Sequence, residues 1–451
     1  MLRWILGGRE AQGAVERNTV LFIGEEQPKN SYTELQVLKG HFDMVRFLVQ
    51  IDDFRFASAG DDGLVLVWNA QTGERLQELR GHSQQITAMT AYSWITGDTD
   101  HTGLITASSD RTLSLWDPET GNRVQTVSDL QSSAKCLLVL SRLDLWISGG
   151  NELCVWDRDF HLLCKTDHHS DAGITAMVEL PKNCIAAAMD KEIVIYRLSA
   201  SSSRLDTLVR EVRRLTDHQD SIRALISVND QAFASGSHVG ELIVWDSLDW
   251  SILTYERILW EEPRPEGQAE IHLSSQKQSE MCVQHLATDG ECVVAAVGSG
   301  LYLYNVSRRG VVAYRKAAHD SNILHTMLLP DGQLLSCSED GSVRMWELQD
   351  LPLPAEPAPT GFFGMWTFGR PSKQASLQAK KVPEVSGLRT LELTGDLIGH
   401  SGAVQMFVYF VDLGLVTCST DQLIIVWKSG ERESRFRSLA LFHKLEDSQG
   451  L

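Results

Sequence analysis

Short apolar runs, some of them alternating with polar positions, recur along the chain and end at a tryptophan or a tyrosine. Val343–Trp346 has a polar residue at Arg344, whereas Leu64–Trp68 is apolar throughout. A period of two is typical of β-strands. Asp-Gly pairs separate the runs, as at Asp62-Gly63 and Asp340-Gly341, and this dipeptide favours tight hairpins. The pattern predicts an all-β chain built from short strands.

The strand pattern repeats in units that begin at a histidine and end at an aromatic residue. His41 and Trp68 are 27 positions apart, and four further units have the same spacing. His82 and Trp116 are 34 apart, which indicates an insertion of seven residues. The eight terminal aromatics are Trp68, Trp116, Trp156, Tyr196, Trp245, Tyr304, Trp346 and Trp427. The units that end at Trp156 and Tyr304 lack the leading Gly-His, so the count of eight rests partly on degenerate units.

With Trp-Asp pairs at Trp116, Trp156 and Trp245, the chain resembles the WD-repeat family. The resemblance implies a closed β-propeller, here of eight blades, with a long loop insertion and a short C-terminal helix. It also implies a hydrogen-bonded tetrad in each blade: a histidine, a Ser or Thr ten residues before the tryptophan, an Asp six before it, and the tryptophan. Four units contain the full set: His41, Ser58, Asp62, Trp68; His82, Thr106, Asp110, Trp116; His319, Ser336, Asp340, Trp346; and His400, Thr417, Asp421, Trp427.

These tetrads contain the residue types of a hydrolase triad, but their recurrence indicates a structural role. A half-buried indole N–H needs an acceptor, and a buried imidazole needs a partner that fixes its tautomer. Because the same set recurs at a fixed spacing in four units, we expect no catalytic residues. Unit five keeps His218, Ser235 and Trp245 but has Val239 in place of the acid.

The chain divides into three parts. Residues 1–30 are expected to be a flexible N-terminal segment, 31–432 the propeller with a loop insertion at 350–390, and 433–451 a helix and tail. The segment Thr33–Leu38 precedes the first Gly-His, where the family's outermost strand would lie. We expect it to complete the last blade and close the ring.

Three insertions are expected on the face opposite the histidine loops: Tyr92–Thr102, Ser247–Glu280, and the segment between Trp346 and His400. Insertions on one face of a repeat fold often mark a binding face. The third insertion holds six of the chain's twelve prolines, which argues against regular strands. Exposed aromatic residues anchor many interfaces. The loop's candidate partner-binding residues are Phe362, Phe363, Met365, Trp366, Phe368 and Arg370.

Three uses of these loop residues remain open: insertion into a partner, capping of the propeller's own underside, and contact with lipid. Lys373, Lys380 and Lys381 follow the aromatic residues and would suit an acidic membrane surface.

The sequence of the tail, Ser434–Asp447, predicts a helix with one apolar stripe, which would be a second contact element. It either packs on the propeller or docks a partner. The stripe consists of Phe436, Leu439, Phe442 and Leu445.

Composition narrows the class of partner. The net charge of −18 argues against a nucleic-acid partner, because phosphate binding needs basic patches. The eight cysteines contain no Cys-x-x-Cys pair, so we expect no metal, no cofactor and a reducing compartment. No apolar stretch approaches 18 residues, so membrane contact is expected only through a partner.

A narrower resemblance, to one subfamily of WD-repeat proteins, is carried by four segments: Phe54–Gly63, Ser237–Leu242, Ala317–Asn322 and Pro359–Phe363. It implies a scaffold in a cytoplasmic complex with two DENN-domain proteins, the chromosome 9 open reading frame 72 protein and the Smith–Magenis syndrome region candidate 8 protein. It also implies recruitment to the lysosomal membrane surface through a cationic amino-acid transporter, a role in autophagy and nutrient signalling, and GTPase regulation that belongs to the DENN partners.

The alternative function is that of a substrate receptor for a cullin ubiquitin ligase. Such propellers carry Trp-Asp-x-Arg. Here the three Trp-Asp pairs continue as Pro118-Glu119, Arg158-Asp159 and Ser247-Leu248, which do not match.

Overall fold

The computed structural model describes residues 30–96, 99–128, 130–167, 173–200, 207–258, 281–350, 389–435 and 437–439. The described residues form thirty-two strands in eight four-stranded antiparallel units, which are the blades of a propeller. The eight-bladed all-β fold predicted from the repeats is therefore confirmed, and the two degenerate units each form a blade.

Within each blade the strands follow chain order from the inner to the outer edge, except that β1 (Glu34–Leu38) is the outer strand of blade 8. Blades 1 to 4 consist of β2 (Val45–Gln50), β3 (Arg55–Gly60), β4 (Val65–Asn69) and β5 (Arg75–Leu79); β6 (Ile86–Thr96), β7 (Thr99–Ser108), β8 (Leu113–Trp116) and β9 (Arg123–Val127); β10 (Cys136–Leu140), β11 (Leu145–Gly149), β12 (Glu152–Asp157) and β13 (Leu162–Asp167); and β14 (Ile174–Leu180), β15 (Cys184–Met189), β16 (Glu192–Ala200) and β17 (Thr207–Leu215).

Blades 5 to 8 complete the ring. They consist of β18 (Ile222–Asn229), β19 (Ala232–Ser237), β20 (Glu241–Asp246) and β21 (Ile252–Arg257); β22 (Val283–Thr288), β23 (Cys292–Val297), β24 (Gly300–Asn305) and β25 (Gly310–Arg315); β26 (Ile323–Leu328), β27 (Leu334–Ser338), β28 (Ser342–Asp350) and β29 (Arg389–Ile398); and β30 (Val404–Phe410), β31 (Gly414–Ser419) and β32 (Ile424–Lys428), with β1. One parallel residue pair, Ala313 with Arg389, links the outer strands of blades 6 and 7.

The third strand of every blade carries the aromatic residue that ends its repeat unit. In blades 1 to 7 the pairing between the third and outer strands shifts register just before that aromatic, as between Val67 and Trp68. A β-bulge increases local twist and redirects a side chain. The degenerate units share the bulge at Trp156 and Tyr304, so they use the same local geometry without the histidine.

The hydrophobic core lies between blades. Eight buried clusters occur among the described residues, and each joins one blade to the next. The cluster between blades 8 and 1 brings Leu38, Phe56 and Phe410 together. Full burial of such a side chain stabilises the fold by about 1.5–3 kcal/mol. The ring is therefore held by packing around its whole circumference.

The N-terminal strand closes the ring, as the sequence predicts. Strand β1 pairs antiparallel with β32, from Glu34 opposite Lys428 to Leu38 opposite Ile424. The Thr33 N–H adds a hydrogen bond of 3.1 Å to the Lys428 carbonyl.

Two faces follow from this topology. The face we call the histidine face holds the hairpins between second and third strands and the links from each outer strand to the next blade. At Gly63 in one such hairpin, φ is +72° and an added Cβ would lie 2.9 Å from the Gln84 carbonyl oxygen, so glycine is required. The underside holds the other two kinds of connection.

One predicted insertion lies on the wrong face. The segment Ser247–Glu280 was expected on the underside, but β21 occupies Ile252–Arg257, and the extra residues connect β21 to β22. That connection belongs to the histidine face. The error arose because the unit's fourth strand carries no strong sequence mark. The other two insertions are on the underside, within the β6–β7 hairpin and between β28 and β29.

A short helix follows the last strand. The described helical residues are 430–435 and 437–439, so the helix begins before the expected Ser434. The Ser429 carbonyl accepts a hydrogen bond of 3.0 Å from the Glu433 N–H, and serine is a favoured residue at helix N-caps. The apolar stripe used for the prediction starts only at Phe436, so it placed the beginning of the helix too late.

Candidate functional site

The tetrad of blade 1 is a directed chain of hydrogen bonds. The Trp68 indole N–H donates to the Ser58 hydroxyl oxygen at 2.8 Å. The Ser58 hydroxyl and His41 Nε2 are 2.8 Å apart, and His41 Nδ1 lies 2.8 Å from Asp62 Oδ2. With the serine donating to Nε2 and the Nδ1–H donating to Asp62, a neutral histidine satisfies every group. Burial opposes the charged form of Asp62, but hydrogen bonds from His41 and two backbone N–H groups hold its pKa below the usual value.

Blades 7 and 8 repeat this arrangement. His319 lies 2.9 Å from Asp340 and 2.8 Å from Ser336, which accepts from Trp346 at 2.8 Å. His400 lies 3.0 Å from Asp421 and 2.8 Å from Thr417, which accepts from Trp427 at 3.0 Å. Blade 7 adds the Ser342 hydroxyl, which donates to Asp340 at 2.7 Å and lies 3.2 Å from His319 Nδ1.

Blade 2 contains an extra hydroxyl between its histidine and its acid. His82 Nδ1 is 2.8 Å from the Thr112 hydroxyl, whereas the Asp110 carboxylate is 3.5 Å away. Thr112 in turn donates to Asp110 at 2.6 Å. Thr106 connects His82 to Trp116 as expected. Sequence spacing grouped these four residues correctly but did not reveal Thr112, which lies four positions before the tryptophan.

Blade 5 has an acid that the sequence analysis missed. Glu241 lies four residues before Trp245, at the position of Thr112 in blade 2, and its carboxylate is 3.1 Å from His218 Nδ1. Ser235 completes the chain, 2.6 Å from His218 and 2.8 Å from the Trp245 indole. The glutamate side chain is one methylene longer than aspartate and reaches the imidazole from the strand instead of the turn.

Glu241 is fully buried and has several further donors. The Ser237 hydroxyl donates at 2.8 Å, the Tyr255 hydroxyl at 2.5 Å, and the Gln219 N–H at 3.0 Å. Although burial disfavours the carboxylate, these donors and His218 lower the pKa of Glu241. Val239, the residue at the usual acid position, takes no part. The signal that could have located Glu241 is an acidic residue within an otherwise apolar strand.

The four networks with the complete sequence set belong to blades 7, 8, 1 and 2, which are consecutive in the ring. The closing contact between β1 and β32 lies within this group. In blade 3 the Trp156 indole donates to Ser148 at 2.9 Å without a histidine, and in blade 6 the Tyr304 hydroxyl is 2.6 Å from the Thr254 hydroxyl of blade 5. His169 of the fourth unit lies outside the described residues.

The serine–histidine–acid order resembles a hydrolase triad, but its geometry serves packing. The Ser58 and Ser336 side chains are fully buried, and each hydroxyl oxygen is occupied by an indole donor. A nucleophile needs open space next to its oxygen for the scissile bond. The buried indole fills that space. These networks therefore satisfy buried polar groups.

A pair of histidines that the sequence analysis did not single out lies between the inner strands of blades 6 and 7. The rings of His285 and His325 have centroids 4.2 Å apart, and His325 makes an edge contact with Phe407. The Thr326 N–H donates to His285 Nδ1 at 3.3 Å. Burial lowers the pKa of His285 to about 4, and burial together with the neighbouring His285 holds the pKa of His325 well below its usual value. Both imidazoles are therefore neutral at physiological pH.

One group of potential metal ligands occurs among the described residues: Asp157, Asp159 and His161, on the turn between β12 and β13. Asp157 already accepts the N–H groups of Asp159 and His161, at 2.9 and 2.8 Å, so it closes the turn itself. His161 Nδ1 also lies 3.1 Å from this carboxylate. These contacts account for the group as a turn.

The candidate partner-binding residues of the long loop, Phe362 to Arg370, lie outside the described residues. The strands that flank the loop show where it is attached. Strands β28 and β29 pair as far as Asp350 and Arg389, where an ion pair of 2.8 Å joins the two side chains. The loop therefore leaves from and returns to the underside of blade 7.

The C-terminal helix is attached beneath blade 8. Arg437 forms an ion pair of 2.9 Å with Glu34 of the closing strand, and Arg432 lies 3.1 Å from Asp412. Leu439 of the predicted stripe is 55% exposed. Phe436, Phe442 and Leu445 lie outside the described residues. Among the described residues, no helix is long and apolar enough to cross a bilayer.

Comparisons with known proteins agree with this architecture. The family model of the WDR41 β-propeller matches residues 1–437. The human WD repeat-containing protein 41 is 58% identical over an alignment that covers 100% of this chain and 99% of that protein, and its mouse counterpart is 55% identical with the same coverage. The crystal structure of the computationally designed Ika8 protein aligns with a TM-score of 0.60 at 19% identity, covering 87% of this chain and 98% of that one, and shows similarity of fold.

Proposed function

Because this chain belongs to the WDR41 family of WD-repeat β-propellers, we propose that it is a non-catalytic scaffold subunit of a DENN-protein complex. The proposed partners are the chromosome 9 open reading frame 72 protein and the Smith–Magenis syndrome region candidate 8 protein. GTPase regulation would belong to them, and the propeller would recruit the complex from the cytoplasm to lysosomes in support of autophagy and nutrient signalling.

The observation that carries this proposal is the attachment of two separate contact elements to adjacent blades of one closed ring. The long loop is fixed at the underside of blade 7, and the C-terminal helix is fixed beneath blade 8. A rigid ring can hold two partners at a constant distance without any chemistry of its own. The buried tetrads support this reading, since their polar groups are used within the fold.

The DENN heterodimer is assigned to the helix and the closing strand. Leu35 and Val37 of β1 are 51% and 41% exposed, and Arg437 connects the same strand to the helix. With Leu439, they offer apolar surface next to the ring closure. A hydrophobic center with a polar rim is typical of a stable protein interface.

The lysosomal cationic amino-acid transporter is assigned to the loop. Prolines limit the conformations that a segment loses on binding, and aromatics bring large contact area with few rotatable bonds. Phe363 and Trp366 are therefore proposed to enter a cavity of the transporter, with Arg370 at its rim. Membrane contact would be through this partner.

The experiment combines two variants in cells. Phe363→Ala with Trp366→Ala should remove lysosomal recruitment and leave the DENN complex assembled, whereas Phe442→Asp should abolish co-purification of the DENN proteins. Each variant has a matched control at exposed positions elsewhere, and both controls should behave as the wild-type protein does. Phe42→Ala with Ile398→Ala, both 74% exposed, matches the loop variant, and Val124→Asp, 57% exposed on blade 2, matches Phe442→Asp.

The outcomes are distinct. Lysosomal recruitment of the loop variant would overturn the assignment of the transporter. A Phe442→Asp protein that still co-purifies with DENN proteins would assign the helix to packing on its own propeller. Capture of cullin adaptors in place of DENN proteins would favor the ubiquitin-ligase function. If the wild-type protein binds bare liposomes as well as it binds membranes that contain the transporter, direct lipid contact would be favoured.

A further inference from the structure

A groove on the underside crosses the inner strands of blades 3, 4 and 5. Its volume is about 350 Å³, and it is away from both the loop of blade 7 and the helix beneath blade 8. Five of its nine lining residues are apolar and come from β10, β14 and the position after β14, and Ser227 comes from β18. The other three are the charged residues Arg142, Glu179 and Asp230, and the six uncharged ones are Leu138, Met177, Val178, Leu180, Pro181 and Ser227.

The turn that follows β14 gives the groove a fixed wall. Lys182 and Asn183 both have positive φ, at 59° and 56°, so the chain reverses tightly after Pro181. Leu180 is 1% exposed and holds the strand in the core, while Met177 and Val178 reach the groove from the two faces of β14. A preformed apolar floor of this kind suits an aliphatic side chain.

The charges around the groove are unequal. Arg142 is used within the fold, because its Nε and Nη2 donate to one oxygen of Glu179 at 3.1 and 2.7 Å. Asp230, which also lines the groove, is exposed and forms no ion pair within 4 Å among the residues that the structure describes, although the Arg142 guanidinium acts on it electrostatically. With two carboxylates and one guanidinium, the groove carries an excess of negative charge beside its apolar floor.

The negative charge continues onto the next blade. The Asn229 side chain donates to the Gly290 carbonyl at 2.7 Å, which ties the turn of Asp230 to the turn that bears the exposed Asp289 and Glu291. The net charge of −18 on the whole chain also favours the approach of a basic segment.

We propose that this groove binds a short segment of another protein in which an aliphatic side chain is next to a lysine or arginine. The aliphatic side chain lies on the floor formed by Leu138 and Met177, and the cation pairs with Asp230. This is a third contact surface on the ring, independent of the two elements assigned above.

Methionine methyl NMR on the full chain tests the proposal, because Met177 lies in the floor and the chain has ten methionines. The probe is the peptide acetyl-Gly-Lys-Leu-Lys-Gly-amide, and the control peptide has glutamates in place of the lysines. Met177→Leu identifies the signal. The lysine peptide should shift the Met177 methyl in a saturable manner, and the glutamate peptide should not.

Three variants make the test specific. Asp230→Lys should weaken binding at least tenfold. Asp53→Lys, the same charge change on an exposed underside turn of blade 1, should leave it within twofold. Ser227→Phe should fill the groove and remove the shift. Unchanged signals from the other methionines report that each variant is folded.

Several results would overturn the proposal: no Met177 shift at millimolar peptide, an equal shift with the glutamate peptide, or equal weakening by Asp230→Lys and Asp53→Lys. A Met177 shift that depends on protein concentration without peptide would place a second copy of the chain in the groove, and it too would overturn the proposal.

Discussion

Replacement of Glu241 by alanine should destabilise the propeller more than replacement of Val239 by alanine. The carboxylate is fully buried and serves four groups. Tyr255 is 43% exposed and can turn to water, so its loss costs little. His218 and Ser237 are buried and would each be left without an acceptor. An unsatisfied buried group costs roughly 1–3 kcal/mol, so the variant should lose about 2–6 kcal/mol of unfolding free energy.

Urea denaturation followed by tryptophan fluorescence measures this loss, and the matched control is Val239→Ala. The control should lose less than about 1 kcal/mol, because Val239 is only half-buried and makes no polar contact of the network. The loss of unfolding free energy in Glu241→Gln should lie between these two values, since an amide accepts hydrogen bonds through one oxygen but brings a donor toward His218. Equal free energies of unfolding for Glu241→Ala and Val239→Ala would refute the reasoning that Glu241 replaces the missing aspartate.

Three further predictions concern the same ring. Asp340→Ala should cost roughly 1–3 kcal/mol in urea denaturation, because the carboxylate that accepts from both His319 and the Ser342 hydroxyl is lost. An equal loss in Asp331→Ala, on an exposed turn, would contradict this. Deletion of residues 1–40 should lower the melting temperature markedly, since Leu38 leaves its cluster, whereas deletion of residues 1–29 should not. Equal melting temperatures for the two deletions would mean that the pairing of β1 with β32 does not stabilise the ring. For His285, whose folded pKa of about 4 is below the unfolded value, stability should be complete above about pH 6.5 and decrease as the pH falls toward 4. His285→Gln should reduce that slope, and an unchanged slope would show that the titration lies elsewhere.

The sequence predicted the blade count and the four regular tetrads because each tetrad depends on spacing within one hairpin. Ser58 and Trp68 lie ten residues apart on paired strands, and the pairing alone brings them together. Glu241 and Thr112 share a position four residues before the tryptophan, but spacing alone did not identify them, because a residue at that position joins the network only if its side chain is polar and reaches the histidine. The insertion after Trp245 was assigned to the wrong face for a different reason: the outer strand Ile252–Arg257 has no distinctive residue that would mark it in the sequence.

Strand β32, which pairs with the closing strand β1, is synthesised almost an entire chain length after it. Lys428 and Gln36, joined by a hydrogen bond of 3.1 Å, are 392 residues apart in sequence. At about 5–20 residues per second, the ribosome needs about 20–80 s to extend the chain from one to the other. During that time β1 has no strand to pair with, and blade 1 has no neighbour on its open side. The nascent chain therefore presents an unpaired apolar strand to other proteins, and chaperone binding near residues 34–38 should set the yield of the folded ring.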